Sequence, residues 1–155
     1  MPATEKLFEA AGLNFNDLQS KARQPGFKGT TLGVNVSTSI KVKTSYGKTY
    51  NAIAKITGST RPEEYIVYTA HWDHLGIGKP DASGDSIYNG AVDNSGGVAL
   101  MLEIAKAFSA LKNKPERTVV FLAVTAEEQG LWGSAYYSQN PVYPLDKTVA
   151  NINMD

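Results

Sequence analysis

The stretch RTVVFLAVT, residues 117–125, is apolar at every position from Val119 to Val124. Such a segment has no polar face to offer to water. As a strand it must be covered on both sides, and a parallel sheet between two layers of helix does this. The flanking sequence supplies the other parts. EYIVYTA (64–70) is a second short apolar strand and KTVANINM (147–154) a third. Between the first two lies NSGGVALMLEIAKAFSAL (94–111), with Val98, Met101, Leu102, Ala105 and Phe108 on one helical face. Leu100 and Ile104 make this helix apolar nearly all round, so it is expected to be well buried. GLWGSAYYSQN (130–140) begins a further helix, and Trp132 and Tyr136 within it are expected to pack in the core or in a groove. The alternation predicts an α/β fold, a three-layer αβα sandwich with a mixed sheet.

The first third of the chain has a different pattern. TEKLFEAAG, with Thr4 as N-cap and Gly12 as stop, predicts one short helix, and NDLQSKARQPG, ended by Pro25-Gly26, a second. GVNVSTSIKVKTS (33–45) alternates at Val34, Val36, Ile40 and Val42, and KTYNAIAKITG (48–58) at Ile53 and Ile56. With Tyr46-Gly47 as the turn, these two predict an antiparallel hairpin. The chain therefore reads as one domain, with a helical lead-in over 1–32 and the sheet and its helices over 33–155.

The charges narrow the function. Lys+Arg and Asp+Glu are each 15, so no bulk charge draws the chain to nucleic acid or to an anionic membrane. There is no cysteine, hence no disulfide and no thiolate site, and any metal must be held by His and carboxylate. No apolar run reaches the roughly 18 residues of a membrane span, and MPATEKLFEA lacks the apolar core of a signal peptide.

Each predicted strand of the α/β region delivers a metal-type ligand at its carboxyl end, where open α/β sheets bind ligands. The first runs into His71, Trp72, Asp73 and His74, the second into Glu127 and Glu128, and the third into Asp155, while Asp93 precedes the long helix. His with Asp and Glu oxygens is a zinc-type set. Adjacent residues at a strand end point in different directions, so one of Glu127 and Glu128 can hold a metal while the other moves protons. Asp73 is placed to orient the His71 imidazole. Each placement also has an ordinary explanation: the glutamate pair as acids favouring a helix N-terminus, Asp93 as an N-cap, Asp155 as a turn residue, His71 as a satisfied polar group. Their coincidence on one sheet edge favours a metal site.

TAHWDHLG, NGAVDNSGGVALMLEIA, VVFLAVTAEEQGLWGSAYY and VANINMD, in this order, resemble the motifs of the di-zinc aminopeptidases of metallopeptidase family twenty-eight, a group that includes bacterial aminopeptidases and plasma glutamate carboxypeptidase-like enzymes. The resemblance is densest over residues 50–155. It implies a zinc exopeptidase-like fold and hydrolysis of peptide bonds through a zinc-activated water. It implies His71, Asp93 and Asp155 as ligands of one zinc, with Asp93 bridging to a second zinc held by Glu128. It further implies Glu127 as the general base, Asp73 as the partner of His71, and a cis peptide at Asp93–Asn94. His74 matches no ligand of the family and receives no role. Two zinc ions are implied for a complete site. At most one is expected here, because the family's remaining histidine ligand would lie beyond Asp155.

The same comparison leads to the expectation that this is the N-terminal part of a catalytic domain, incomplete at its C-terminal side and with little activity alone. An exposed sheet edge is expected, able to pair copies of the chain through residues 147–155. The implied substrate is a peptide, and the implied location of the full-length protein is periplasmic or secreted. Two other classes stay open: a glutaminyl-cyclase-like acyltransferase with a single zinc, and a binding or structural relative without catalysis.

Overall fold

In the computed structural model, which describes residues 2–155, the apolar run at 117 becomes an interior strand. The strands are β1 (Ala52–Ile56), β2 (Arg61–His71), β3 (Gly76–Ile77), β4 (Ile87–Tyr88), β5 (Arg117–Val124) and β6 (Thr148–Asn153). The helices are α1 (Pro2–Ala10), α2 (Phe15–Ala22), α3 (Ser95–Ser109) and α4 (Trp132–Gln139). The main sheet has the order β1-β5-β2-β6. β2 runs parallel to both β5 and β6, and β1 pairs antiparallel with β5. The sheet is therefore mixed, as expected.

Successive β5 side chains go to opposite faces. Val120, Leu122 and Val124 pack with Tyr65 and Val67 of β2 and Tyr137 of α4. Val119 and Phe121 pack on the other face with Ala70 and with Met101, Val98, Ile104 and Phe108 of α3. Helix thus covers both faces, which is the three-layer arrangement. The inward face of α3 is narrower than its composition suggested. Met101 is its one buried residue among those described, while Leu100 and Leu102 are more than half exposed. An all-apolar helix can turn only one stripe to a sheet, and the stripe here is Val98, Met101, Ile104, Ala105 and Phe108.

The chain divides into two compact units, Met1–Ser45 and Tyr46–Asp155. In the first, α1 begins at Pro2, so Thr4 lies inside the helix rather than capping it. Phe8 and Phe15 meet edge to face across the turn at 5.2 Å, and Asn14 caps α2 by accepting from the Asp17 N–H. The expected hairpin over 33–58 is corrected: residues 27–51 hold no helix or strand, and only β1 survives of it. Val36, Ile40 and Val42 are 70–80% exposed. Alternation marks an apolar stripe, but a strand also needs a paired ladder and a covered face, and this segment has neither. The boundary between the compact units falls after residue 45.

Residues 49–51 attach to the end of β5 through side chains. Asn51 accepts from the Thr125 N–H at 3.0 Å and donates to the Gly133 carbonyl at 2.8 Å, and the Thr49 and Thr125 hydroxyls are 2.6 Å apart. Trp132 and Tyr136 are exposed and line a cavity of about 610 Å³ with Tyr50, Ile53 and Val142, the groove placement of the two expected.

Candidate metal centre

The parallel register builds the site. His71, the last residue of β2, is level with Val124, the last of β5, and Thr69 is level with Asn153 of β6. Continuing that register by two residues sets Asp155 beside His71. The Met154 N–H donates to the Thr69 carbonyl at 2.9 Å and extends the pairing toward Asp155. Buried Asn94 then ties in α3. Its side-chain oxygen accepts from the Gly97 N–H at 2.8 Å, and its amide donates to the Met154 carbonyl at 2.9 Å. A Cβ on Gly97 would lie 2.3 Å from the Asn94 side-chain oxygen and 2.5 Å from the Met154 carbonyl, so only glycine permits this closure. Asn94, not Asp93, is the N-cap of α3, which leaves the Asp93 carboxylate free. The Asp93–Asn94 peptide is cis, as expected.

His71 is 3% exposed. Its Nδ1 lies 2.9 Å from the Asp73 carbonyl. A carbonyl only accepts, so Nδ1 carries the proton and Nε2 faces the site. Around Nε2 stand Asp93 Oδ1 at 2.9 Å, Asp155 Oδ1 at 3.2 Å and Glu127 Oε2 at 3.9 Å. Burial alone would lower the pKa of this imidazole. The Asp73 carbonyl and the carboxylates of Glu127, Asp155 and Asp93 outweigh it, and the pKa sits above its ordinary value.

A second cluster adjoins the first. His74 Nδ1 is 2.6 Å from Glu128 Oε1, and Asp93 offers an oxygen to this group as well as to the His71–Asp155 group. Neither His74 Nδ1 nor Glu128 Oε1 has a hydrogen-bond partner, although both atoms are buried. They are close but not aligned to bond each other. A buried polar atom without a partner costs about 1–3 kcal/mol, and a cation between these groups removes that cost. Two zinc bonds of about 2.0–2.1 Å at a tetrahedral angle set their donors about 3.3 Å apart. The His71–Asp93 and His71–Asp155 spacings are of that order, so the His71 donor set fits zinc, whereas the 2.6 Å between His74 Nδ1 and Glu128 Oε1 is shorter than two ligands of one zinc take.

Glu127 and Glu128 sit in the turn between β5 and α4, and the first turn of α4 holds no acid. The pair is therefore not there for the helix dipole. Ala126, just before it, has φ 51°, a left-handed backbone that redirects the chain out of the sheet. The Glu127 carbonyl accepts from Gly130 and Leu131, each at 2.9 Å, and its N–H donates to Asp73 Oδ1 at 3.1 Å. Asp73 meets the site through both its backbone and its side chain. Its backbone carbonyl orients His71, its Oδ1 being 3.8 Å from Nδ1, while its carboxylate holds the Glu127 backbone. All six expected residues, His71, Asp73, Asp93, Glu127, Glu128 and Asp155, thus gather at one edge. The residue sequence reasoning left without a role is His74. The available signal was that the chain has only two histidines, three residues apart at one strand end.

Residues 51–155 match the model of peptidase family M28. The chain belongs to that family. Among M28 relatives, aminopeptidase NAALADL1 of Mus musculus is 32% identical over 143 residues, 84% of this chain and 17% of the relative. A probable zinc metalloprotease of Pyrenophora tritici-repentis is 37% identical over 103 residues, 66% of this chain and 23% of the relative. The crystal structure of a zinc aminopeptidase from Bacillus subtilis superposes with a TM-score of 0.55 at 27% identity, covering 68% of this chain and 23% of that one. The chain thus spans about a fifth of the length of the M28 proteins it matches.

Proposed function

We propose that these residues form the metal-binding part of a zinc-dependent exopeptidase, most simply an aminopeptidase, acting on peptides. The observation that carries this is Asp93: one carboxylate shared by a His71–Asp155 cluster and a Glu128 cluster at the carboxyl edge of the sheet. A shared carboxylate is the arrangement that two neighbouring cations require, which favours the hydrolase over a single-zinc acyltransferase.

When bound, zinc supplies Lewis acidity, lowering the pKa of water and polarising a carbonyl. The chain's own residues do the rest. His71 presents Nε2 in the tautomer fixed by the Asp73 carbonyl. Asp93 and Asp155 balance the positive charge. Glu127 is the base: its carboxylate stands beside His71 Nε2 without belonging to either donor cluster, and its backbone is fixed by Asp73 and the turn. It takes a proton from the attacking water and returns it to the leaving amine.

The test is Glu127→Gln made in the full-length protein that carries these residues, read for zinc content and for release of free amino acid from unblocked peptides. Zinc content is expected to stay, and release to fall by roughly 10²–10⁴-fold. Equal release by the variant and the parent sinks the base assignment. Failure of the parent to bind zinc sinks the metallopeptidase reading.

A further inference from the structure

The ladder between β1 and β5 ends at the pair Ala52 and Ala123. Beyond it the Asn51 side chain takes over. Its Oδ1 accepts from the Thr125 N–H at 3.0 Å, and its Nδ2 donates to the Gly133 carbonyl at 2.8 Å. Thr125 and Gly133 are the two feet of the turn that carries Glu127. The feet also meet each other, the Gly133 N–H donating to the Thr125 carbonyl at 2.9 Å, and inside them the Trp132 N–H donates to the Ala126 carbonyl at 3.0 Å. The closure needs a glycine: a Cβ on Gly133 would lie 2.6 Å from Asn51 Oδ1 and closer still to the Thr125 carbonyl oxygen. The turn between the feet is strained. Ala126 (φ 51°) and Leu131 (φ 62°) both hold left-handed backbone, which is unfavourable for a residue with a Cβ and persists only where the surroundings fix it. Asn51 ties the chain just outside these two residues. Its own segment is anchored on both sides, with the Tyr50 carbonyl accepting from the Trp72 indole N–H at 3.1 Å and the Thr49 hydroxyl 2.6 Å from that of Thr125.

From this bridge we infer that Asn51 is a positioning residue for the proposed hydrolysis, setting through Thr125 and Gly133 where the Glu127 carboxylate stands. The inference rests on the reading of Glu127 as the base and adds the device that aims it. Glu127 Oε2 is 3.9 Å from His71 Nε2, beyond hydrogen-bond reach, so the carboxylate takes its place from its backbone. One side of that backbone is fixed by Asp73 Oδ1, which accepts from the Glu127 N–H at 3.1 Å. The other is fixed by the closure of the turn that Asn51 bridges. Asn51 belongs to neither donor cluster, so its effect reaches the chemistry through Glu127 and not through the metal. A displacement of about an ångström at a reacting group costs roughly 100-fold in rate.

The test is a double-mutant cycle in the full-length protein that carries these residues, at saturating zinc. Asn51→Ala is made alone and together with Glu127→Gln, and kcat, KM and zinc content are measured with unblocked peptides. With Glu127 in place, kcat is expected to fall roughly 100-fold while KM and zinc content stay unchanged. In the Glu127→Gln background no further fall is expected, because the group being aimed is gone. A residue that only supports the fold costs the same factor in both backgrounds. That result, or no fall with Glu127 in place, overturns the inference and leaves the base assignment standing. If Glu127→Gln alone keeps the kcat of the parent, the base assignment falls and the inference with it. Asn51→Ser keeps a neutral polar side chain that is one bond too short to span Thr125 and Gly133, and it is expected to repeat the Asn51→Ala pattern. If both variants lose zinc or fail to fold, Asn51 serves the fold as a whole and the inference is overturned.

Discussion

The two histidines of this chain lie three residues apart and are held in opposite ways. His71 is the last residue of a strand, buried, with one nitrogen already committed to the Asp73 carbonyl and the other facing Asp93 and Asp155. His74 lies past the strand, on a loop, and its Nδ1 faces Glu128 Oε1 without an aligned hydrogen bond. The first half of the centre is assembled by the sheet register and by Asn94, which joins α3 to β6. The second half is assembled by loops, with His74 Nδ1 facing Glu128 Oε1 at 2.6 Å. In physical terms the His71 half is organised by the strand register, and the His74 half by the loops that follow the strands.

The largest effect is expected at the residue the halves share. Asp93→Ala removes a donor from both clusters, and zinc affinity should fall by more than roughly 100-fold, beyond the 10–100-fold that loss of an outer-shell partner gives. Calorimetric titration with zinc measures it. If affinity is unchanged at one half, Asp93 does not bridge and the two halves are independent.

The second prediction concerns the joint that orders the His71 half. Asn94→Ala deletes the α3 cap, worth about 1 kcal/mol, and leaves the Met154 carbonyl without its donor, worth about 1–3 kcal/mol. A loss of about 2–4 kcal/mol in urea unfolding is expected for the metal-free chain. A loss below about 0.5 kcal/mol, the range of ordinary surface substitutions, shows that β6 and α3 are held together by packing alone.

How much of this was legible beforehand follows from the same contrast. The strands ending at His71, Glu127 and Asp155 announce themselves, because apolar runs and strand ends are local properties of sequence. The parallel part of the sheet followed from them. The placement of His74 against Glu128 was not legible, since it depends on a glycine with positive φ sixteen positions later and on a glutamate from another strand's end. Residues 33–45 misled for a related reason: alternation of Val34, Val36, Ile40 and Val42 describes a side-chain stripe, but cannot say whether a layer exists to cover it. Leu100 and Leu102 misled likewise, because composition alone does not fix which stripe of α3 meets the sheet. The hairpin of β3 and β4, two residues a strand, is too short to leave a periodic signal.

A smaller effect separates the two functions of Asp73. Its carbonyl, not its carboxylate, holds His71, so Asp73→Ala should keep the His71 tautomer and reduce zinc affinity by less than tenfold. The Glu127 N–H loses its acceptor, and stability should fall by about 1 kcal/mol. A switch of the His71 proton to Nε2 in the variant, seen by nitrogen NMR, would falsify the carbonyl assignment.

The smallest effect lies away from the site, and checks that the contrast is local. Tyr65 and Tyr137 are buried together on the α4 face of the sheet. Burial chiefly holds both phenols above their ordinary pKa, helped at Tyr65 by the nearby Glu63 charge. A group whose pKa is raised on folding binds its proton more tightly in the native state, so stability declines as pH rises. The decline starts near pH 10, where the unfolded tyrosines ionise, and continues until the raised native values are passed. Below that window the two tyrosines add no pH dependence. Neither tyrosine belongs to the donor clusters, so the metal-free parent and Asp93→Ala should lose stability over the same alkaline range, followed by urea midpoints between pH 8 and about 11. If Asp93→Ala shifts that range, the sheet transmits changes at its carboxyl edge into the α4-side core. The centre would then be organised by the whole layer and not by the strand ends alone.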